Sequence, residues 1–166
     1  MGKVLDAFGY GYPGTVTRSV DDIVISVRNA SDGDIPFGEP VFLGGLGAVP
    51  FDVSDPQEFE TFLGFTVRIP DKTPDTYPRG QFNDPPQGAW HAGDVMEVLV
   101  RGSIAVPLAV PGSTGGNVYI RKSDGRLTPV AGSSGSAVLL ENVRIRRPRD
   151  AYGVVAELIV NKRNIL

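Results

Sequence analysis

Of the residue types that most often carry chemistry, this sequence holds one histidine and no cysteine. A chain without cysteine has no thiolate nucleophile, thiolate zinc site, iron–sulfur cluster or disulfide. His91 stands in Trp90-His91-Ala92-Gly93, with Asp94 next to it. A lone imidazole there reads as a turn or packing residue, and no second histidine exists for an imidazole-rich metal centre. The serines of Gly132–Ser136 lie in a run of small residues, not on the strand–elbow–helix that presents a hydrolase nucleophile. Pro111–Gly116 is glycine-rich but lacks the Gly-Lys-Ser/Thr ending that cradles phosphate. Carboxylates come as Asp21/Asp22, Asp32/Asp34, Asp52/Asp55 and Glu58/Glu60. None has EF-hand spacing, and loop-borne Asp is a usual turn former. A glycosidase pair could still be assembled from distant loops. The expectation is a non-enzymatic protein with no catalytic residue, no cofactor and no metal, acting by binding.

Three features suit binding. The cluster Arg144-Ile-Arg-Arg-Pro-Arg149 places Arg144, Arg146, Arg147 and Arg149 together. It reads either as the solvated face of a strand running into a turn or as a contact for an acidic protein surface. Nucleic acid is not expected, because no aromatic side chains interleave with the arginines and the formal charge is −3 at a pI of about 5.1. The second feature is residues 1–20, rich in Gly and Tyr and without a period, which read as an extended arm carrying Phe8, Tyr10 and Tyr12. Such aromatics supply contact area at low entropy cost. The third is the run Gly153–Asn161. Val154, Ala156, Leu158 and Val160 form one face, and Val155 with Ile159 makes the other largely apolar too. That strand is either central in a sandwich or covered by another chain, so Val155 and Ile159 are candidates for self-association.

Strands must position all of this. Gly at 21 and Pro at 14 accompany 41% apolar residues, the composition of short apolar runs separated by turns. Period-two alternation predicts strands at 23–28, 62–69, 94–101 and 138–146. In these, Ile23, Ile25 and Val27 share a face, as do Leu63, Phe65, Val67 and Ile69. Met96, Val98 and Val100 oppose Val95, Glu97, Leu99 and Arg101, and Leu139, Val143 and Ile145 oppose Asn142, Arg144 and Arg146. Asp124-Gly125 between 117–121 and 126–130 predicts a hairpin. A short helical turn is the alternative at 56–61, where Ser54 or Asp55 would cap it. Residues 70–88 hold Pro70, Pro74, Pro78, Pro85 and Pro86, too many for a ladder strand. At 166 residues the chain fits one domain that buries roughly 70% of its unfolded surface. The expected fold is therefore all-β, a single-domain antiparallel barrel or sandwich over 21–166, with an arm at 1–20 and a Pro-rich loop insertion at 70–88. No apolar run approaches the ~20 residues of a membrane span and no secretory h-region is visible. A soluble chain made in a reducing cytosol is expected.

Ile35-Pro-Phe-Gly-Glu-Pro-Val-Phe-Leu43 and Phe62-Leu-Gly-Phe-Thr-Val67, taken in order, resemble the I-P-F-G-x-x-V segment and the F-x-G-(I/F)-x-V strand of the phage structural cement (capsid decoration) family. Asp94-Val-Met-Glu-Val-Leu-Val-Arg-Gly-Ser-Ile-Ala-Val106 resembles its G-D-x-x-x-V-x-x-x-G-x-I-x-V hairpin. Gly115-Gly-Asn-Val-Tyr-Ile120 resembles a G-x-x-V-Y strand, and Ala151-Tyr-Gly-Val-Val-Ala-Glu-Leu-Ile-Val160 the closing strand. The similarity spans about residues 30–160, and its specificity lies in the series. The resemblance implies a β-domain on the outside of an icosahedral head, tying neighbouring major capsid subunits together, made in the host bacterial cytoplasm. It also implies self-association, with a homotrimer expected and a dimer as the alternative, and no membrane or nucleic-acid partner. A tail or baseplate component, or a carbohydrate-binding β-sandwich, would share the composition. The latter would group Trp90 and His91 beside Asp94 in a groove.

Overall fold

The computed structural model describes residues 12–54, 61–69, 88–133, 135–149 and 154–163. Every regular element among them is a strand, and no helix is long and apolar enough to cross a membrane. The all-β expectation holds.

The spine is β7 (Val95–Pro107), whose two edges are both occupied. Along one runs β1 (Val16–Arg28), antiparallel, with Ile25 opposite Val98 and Val16 opposite Ile104. Along the other, β5 (Phe62–Thr66) pairs through Phe65–Leu99 and Thr66–Val98. Beyond that point β11 (Val155–Val160) takes over the same edge, from Val160–Gly102 to Val155–Pro107. The handover falls at Gly102, whose φ of +123° lets the strand turn away where a side chain would be strained. Outward from β5 lie β3 (Pro40–Gly44) and β4 (Gly47–Pro50). Outward from β11 lie β10 (Ala137–Arg147), β8 (Asn117–Arg121) and β9 (Leu127–Thr128). The order is β4-β3-β5-β7-β11-β10-β8-β9, with β1 on the far edge of β7. A separate short ladder joins β2 (Ile35–Pro36) to β6 (Ala89–Trp90).

The two branches curl toward each other over one core. Phe42, Phe62 and Phe65 from β3 and β5 pack in the same cluster as Val118, Ile120, Leu140 and Ile145 from β8 and β10. The end strands β4 and β9 do not pair, so the result is an open, sandwich-like sheet and not a closed barrel. A second core covers the other face of the β3–β5–β7–β1 branch. There Val41, Leu63, Met96, Val98 and Val100 meet Ile35, Phe37 and Trp90, while Ile23, Ile25 and Val27 of β1 pack at its margin. β5 therefore has apolar neighbours on both faces, and all five of its residues are buried.

This double coverage corrects two alternations. Leu63 and Phe65 do not share a face: Leu63 enters the second core and Phe65 the first, because a register shift intervenes between Val41–Gly64 and Phe42–Phe62. Leu139 does not share the face of Val143 and Ile145 either. It is exposed and Leu140 is buried in its place, since the β10–β8 register breaks between Leu139 and Arg144 around Asn142, at φ +62°. Asparagine is among the few non-glycine residues that tolerate this conformation.

Expected turns are present. The Asp124-Gly125 hairpin closes with Arg121 N–H donating to Arg126 O at 2.9 Å and Gly125 N–H to Arg121 O at 2.8 Å. The Ser31–Asp34 loop is organised from inside by Asn29, which is 1% exposed. Its amide nitrogen donates to the carbonyls of Gly33 (3.0 Å), Trp90 (3.2 Å) and His91 (3.1 Å), and its oxygen accepts from Ser31 N–H at 3.0 Å. One side chain thus ties the end of β1 to the β6–β7 connection. Asn29→Ala strands these buried groups, and we expect a loss of about 2 kcal/mol, read as a lower urea midpoint at unchanged m-value.

Candidate functional site

The residues weighed for chemistry in the sequence, where described, are engaged in turns and packing. His91 Nδ1 lies 2.9 Å from Asp34 Oδ1, and the His91 backbone N–H donates to Asp94 Oδ2 at 2.9 Å, both in exposed turns. Trp90 is buried edge-on against Phe37, and its indole N–H donates to Val67 O at 3.1 Å. An indole held that way cannot offer its face to a sugar, which removes the local feature of the carbohydrate alternative. In the Gly132–Ser136 segment, of which Ser134 lies outside the described residues, Ser136 N–H and Oγ both donate to Ser133 O. Asp21 pairs with Arg101. The Asp22 carboxyl folds over Gly102, and burial pushes its pKa up. Among the described residues no three His, Asp or Glu side chains gather as a metal would require. The candidate helical turn at 56–61 and the Pro-rich segment lie outside the described residues, apart from Thr61 and Gly88.

The candidate contact residues fall in three places. Phe8 and Tyr10 lie outside the described residues. Tyr12 belongs to a stretch bound to its own domain: Gly14 N–H donates to Ala105 O (2.8 Å), Ala105 N–H to Thr15 O (2.9 Å) and Arg68 N–H to Gly14 O (2.8 Å). The Arg68 guanidinium sits 4.7 Å from the Tyr12 ring centroid, a cation–π contact. Residues 12–20, assigned to the arm by their lack of period, thus dock on and then enter β1. Backbone pairing to β7 needs no side-chain alternation to betray it.

The arginine cluster divides. Arg146 and Arg147, on β10, converge on Glu157 of β11, a carboxylate only 2% exposed. Arg147 Nε is 3.5 Å and Arg146 Nε 3.8 Å from its oxygens, Thr17 Oγ1 donates to it at 2.8 Å, and Arg146 Nη1 donates to Ser103 Oγ at 2.9 Å. Arg144 donates from Nη1 to its neighbour Val143 O at 2.9 Å. Arg149, beyond the strand, has a buried Nε without a hydrogen-bond partner and lines a cleft of about 560 Å³. Val155 and Ile159 are half-buried on the Glu157 face of β11, a strand interior to the sheet between β7 and β10. Glu157 escaped the sequence reading. Its signal was a lone charge between two apolar residues of a strand with arginines on the preceding strand.

The family described as structural cement protein (E217 gp24/Pam3 gp6) matches residues 3–161. The chain belongs to the phage structural cement proteins. Among solved structures, a chain of "The capsid of Myoviridae Phage XM1" shares the fold at a TM-score of 0.70 and 20% identity, with 97% of this chain and 96% of that one covered. No curated relative matches the chain. The family is one of structural proteins, and of the two acids among the described residues lining the cleft one is largely withdrawn from water.

That acid is Glu39. Its backbone is pinned: Glu39 N–H donates to Thr66 Oγ1 at 3.1 Å, Thr66 N–H donates to Glu39 O at 3.0 Å, and Thr66 Oγ1 donates to Pro36 O at 2.7 Å. Burial pushes its carboxyl pKa above the ordinary 4.5. A raised carboxyl pKa means the folded state binds the proton more tightly than the unfolded one. The penalty is absent below pH 4.5, grows as pH rises through the folded pKa, and is complete above it. Glu39→Gln should therefore melt higher than the parent at pH 7, with the difference closing below pH 4.5 in thermal scans across pH.

Proposed function

We propose that this cement protein binds the outside of an icosahedral phage head, bridges neighbouring major capsid subunits and stabilises the expanded shell. The observation that carries the reading is the family match across 3–161, supported by a fold shared with a chain from a phage capsid. The physical basis is mass action. A protein that binds only the assembled lattice stabilises it by its binding free energy, and many copies acting on one shell add through avidity. A β-domain with two cores supplies a rigid platform, which keeps the ordering cost of docking low.

The arm is assigned to residues 2–11, carrying Phe8 and Tyr10, since residues 12–16 bind their own domain. The protein would be made in the host cytoplasm and end on the outer surface of the virion. A homotrimer is favoured over a dimer, with Val155 and Ile159 as its self-contact, and sedimentation velocity of the isolated protein tests that.

The deciding experiment is cosedimentation of the purified protein with expanded shells lacking it, alongside procapsids. Saturable, stoichiometric binding to expanded shells alone is expected, and binding to neither overturns the reading. Deleting residues 2–11 should abolish binding at unchanged melting temperature; full occupancy by the truncated chain would remove the arm from the account.

A further inference from the structure

The cleft that holds Arg149 is open between the segment following β4 and the β8–β9 turn, with the end of β7 beside it. Four prolines frame it, Pro13, Pro36, Pro50 and Pro107, so its walls are stiff and lose little entropy when something docks. Phe51 and Leu108 supply apolar lining. The charges inside are only partly matched to one another. Asp124 is paired with both Arg121 and Arg126. Glu39 makes no ion pair among the described residues, and Arg149 Nε is buried with no acceptor.

These two unmatched groups differ in what they can do alone. A buried carboxyl can take up a proton and become neutral, and Glu39 leans that way. A guanidinium cannot shed its charge at any ordinary pH. A desolvated arginine nitrogen therefore calls for an acceptor from outside, and a carboxylate is the strongest one available. Glu39, in the same cleft, can accept a backbone N–H.

We propose that this cleft receives an extended segment of a neighbouring capsid subunit, with an acidic side chain of that segment on Arg149 and an apolar one against Phe51. The inference rests on the cement reading and adds the site and the partner's chemistry.

Its test is a titration of expanded shells by cosedimentation with variants that change the sign of the cleft. Val53 and Val154 line it and are exposed, so Val53→Lys, Val53→Glu, Val154→Lys and Val154→Glu alter its charge without disturbing a core. The same two charges at Leu46, in the exposed β3–β4 turn outside the cleft, control for net charge. Arg149→Met is expected to weaken binding by about tenfold or more. The Glu variants should bind more weakly than the parent and the Lys variants at least as tightly, with the Leu46 pair far less separated. Parental affinity in Arg149→Met, or Lys and Glu variants no further apart than the Leu46 pair, would overturn the cleft proposal while leaving the cement reading intact. Parent protein that fails to bind shells overturns the cement reading, and the cleft proposal with it. Melting temperatures of all variants, expected near the parent's, separate a binding loss from a folding loss.

Discussion

Gly64→Ala should destabilise the protein by about 4 kcal/mol, at the upper end of what single substitutions do. Gly64 lies in β5 where that strand is pressed against β7. A Cβ added there would stand 2.1 Å from the Leu99 carbonyl oxygen, 2.8 Å from its carbon and 2.9 Å from Val98 Cγ1. Two of the three obstacles are backbone of the spine strand, so no side-chain rotation relieves the clash. β5 would have to withdraw from β7, and it has apolar cores on both faces to lose. For a chain of this size the expected fall in melting temperature is roughly 8–16 °C. Gly33→Ala is the control, because its added Cβ meets nothing within 4 Å. It should change stability by no more than about 0.5 kcal/mol. Equal melting temperatures for the two variants would mean that β5 and β7 are not in the close contact described.

The spine and its partners were largely legible in the sequence, and the reason is visible in β1. Ile23, Ile25 and Val27 alternate cleanly because one face of that strand packs on a core while the other is wet. The Asp124-Gly125 hairpin was legible because its chemistry is local. Alternation misled at Leu63 and Leu139, where register shifts exchange the faces within a single strand. A shift of that kind is a property of the pairing partner, and one strand's sequence carries no trace of it beyond an Asn or a Gly.

The candidate contact residues were legible as a cluster and not one by one. Four arginines in six residues marked 144–149, but only their neighbours tell them apart, and those neighbours are distant in sequence. Glu157 takes up Arg146 and Arg147, and the cleft holding Arg149 is lined by six other stretches of chain. The two-sided apolar run Gly153–Asn161 admits, from sequence, either a central strand or one covered by another chain. β11 does lie inside the sheet, between β7 and β10, and its second face is occupied in part by the Glu157 ion pairs.

Those ion pairs lead to the second large effect. Replacing Arg146 and Arg147 together by Met should lower stability by about 3 kcal/mol, because it leaves a carboxylate that is almost wholly out of water facing no guanidinium from β10. The reverse deletion is expected to be milder. Arg146 and Arg147 are 37% and 50% exposed, so in Glu157→Met they turn to solvent, and exposed charges contribute little when paired or unpaired; about 1 kcal/mol is expected. The asymmetry is the useful quantity. If Glu157 is the group whose burial must be offset, then the triple variant with Met at all three positions should recover most of what the double arginine variant loses. Denaturant unfolding of the four proteins closes that cycle. A triple variant no more stable than the double would show that the arginines stabilise by packing their stems and not by compensating Glu157. Recovery would also bear on binding. With Arg146 and Arg147 committed to an internal acid, Arg144 and Arg149 are the members of the cluster left to meet a partner's carboxylates, and of these only Arg149 lines the cleft.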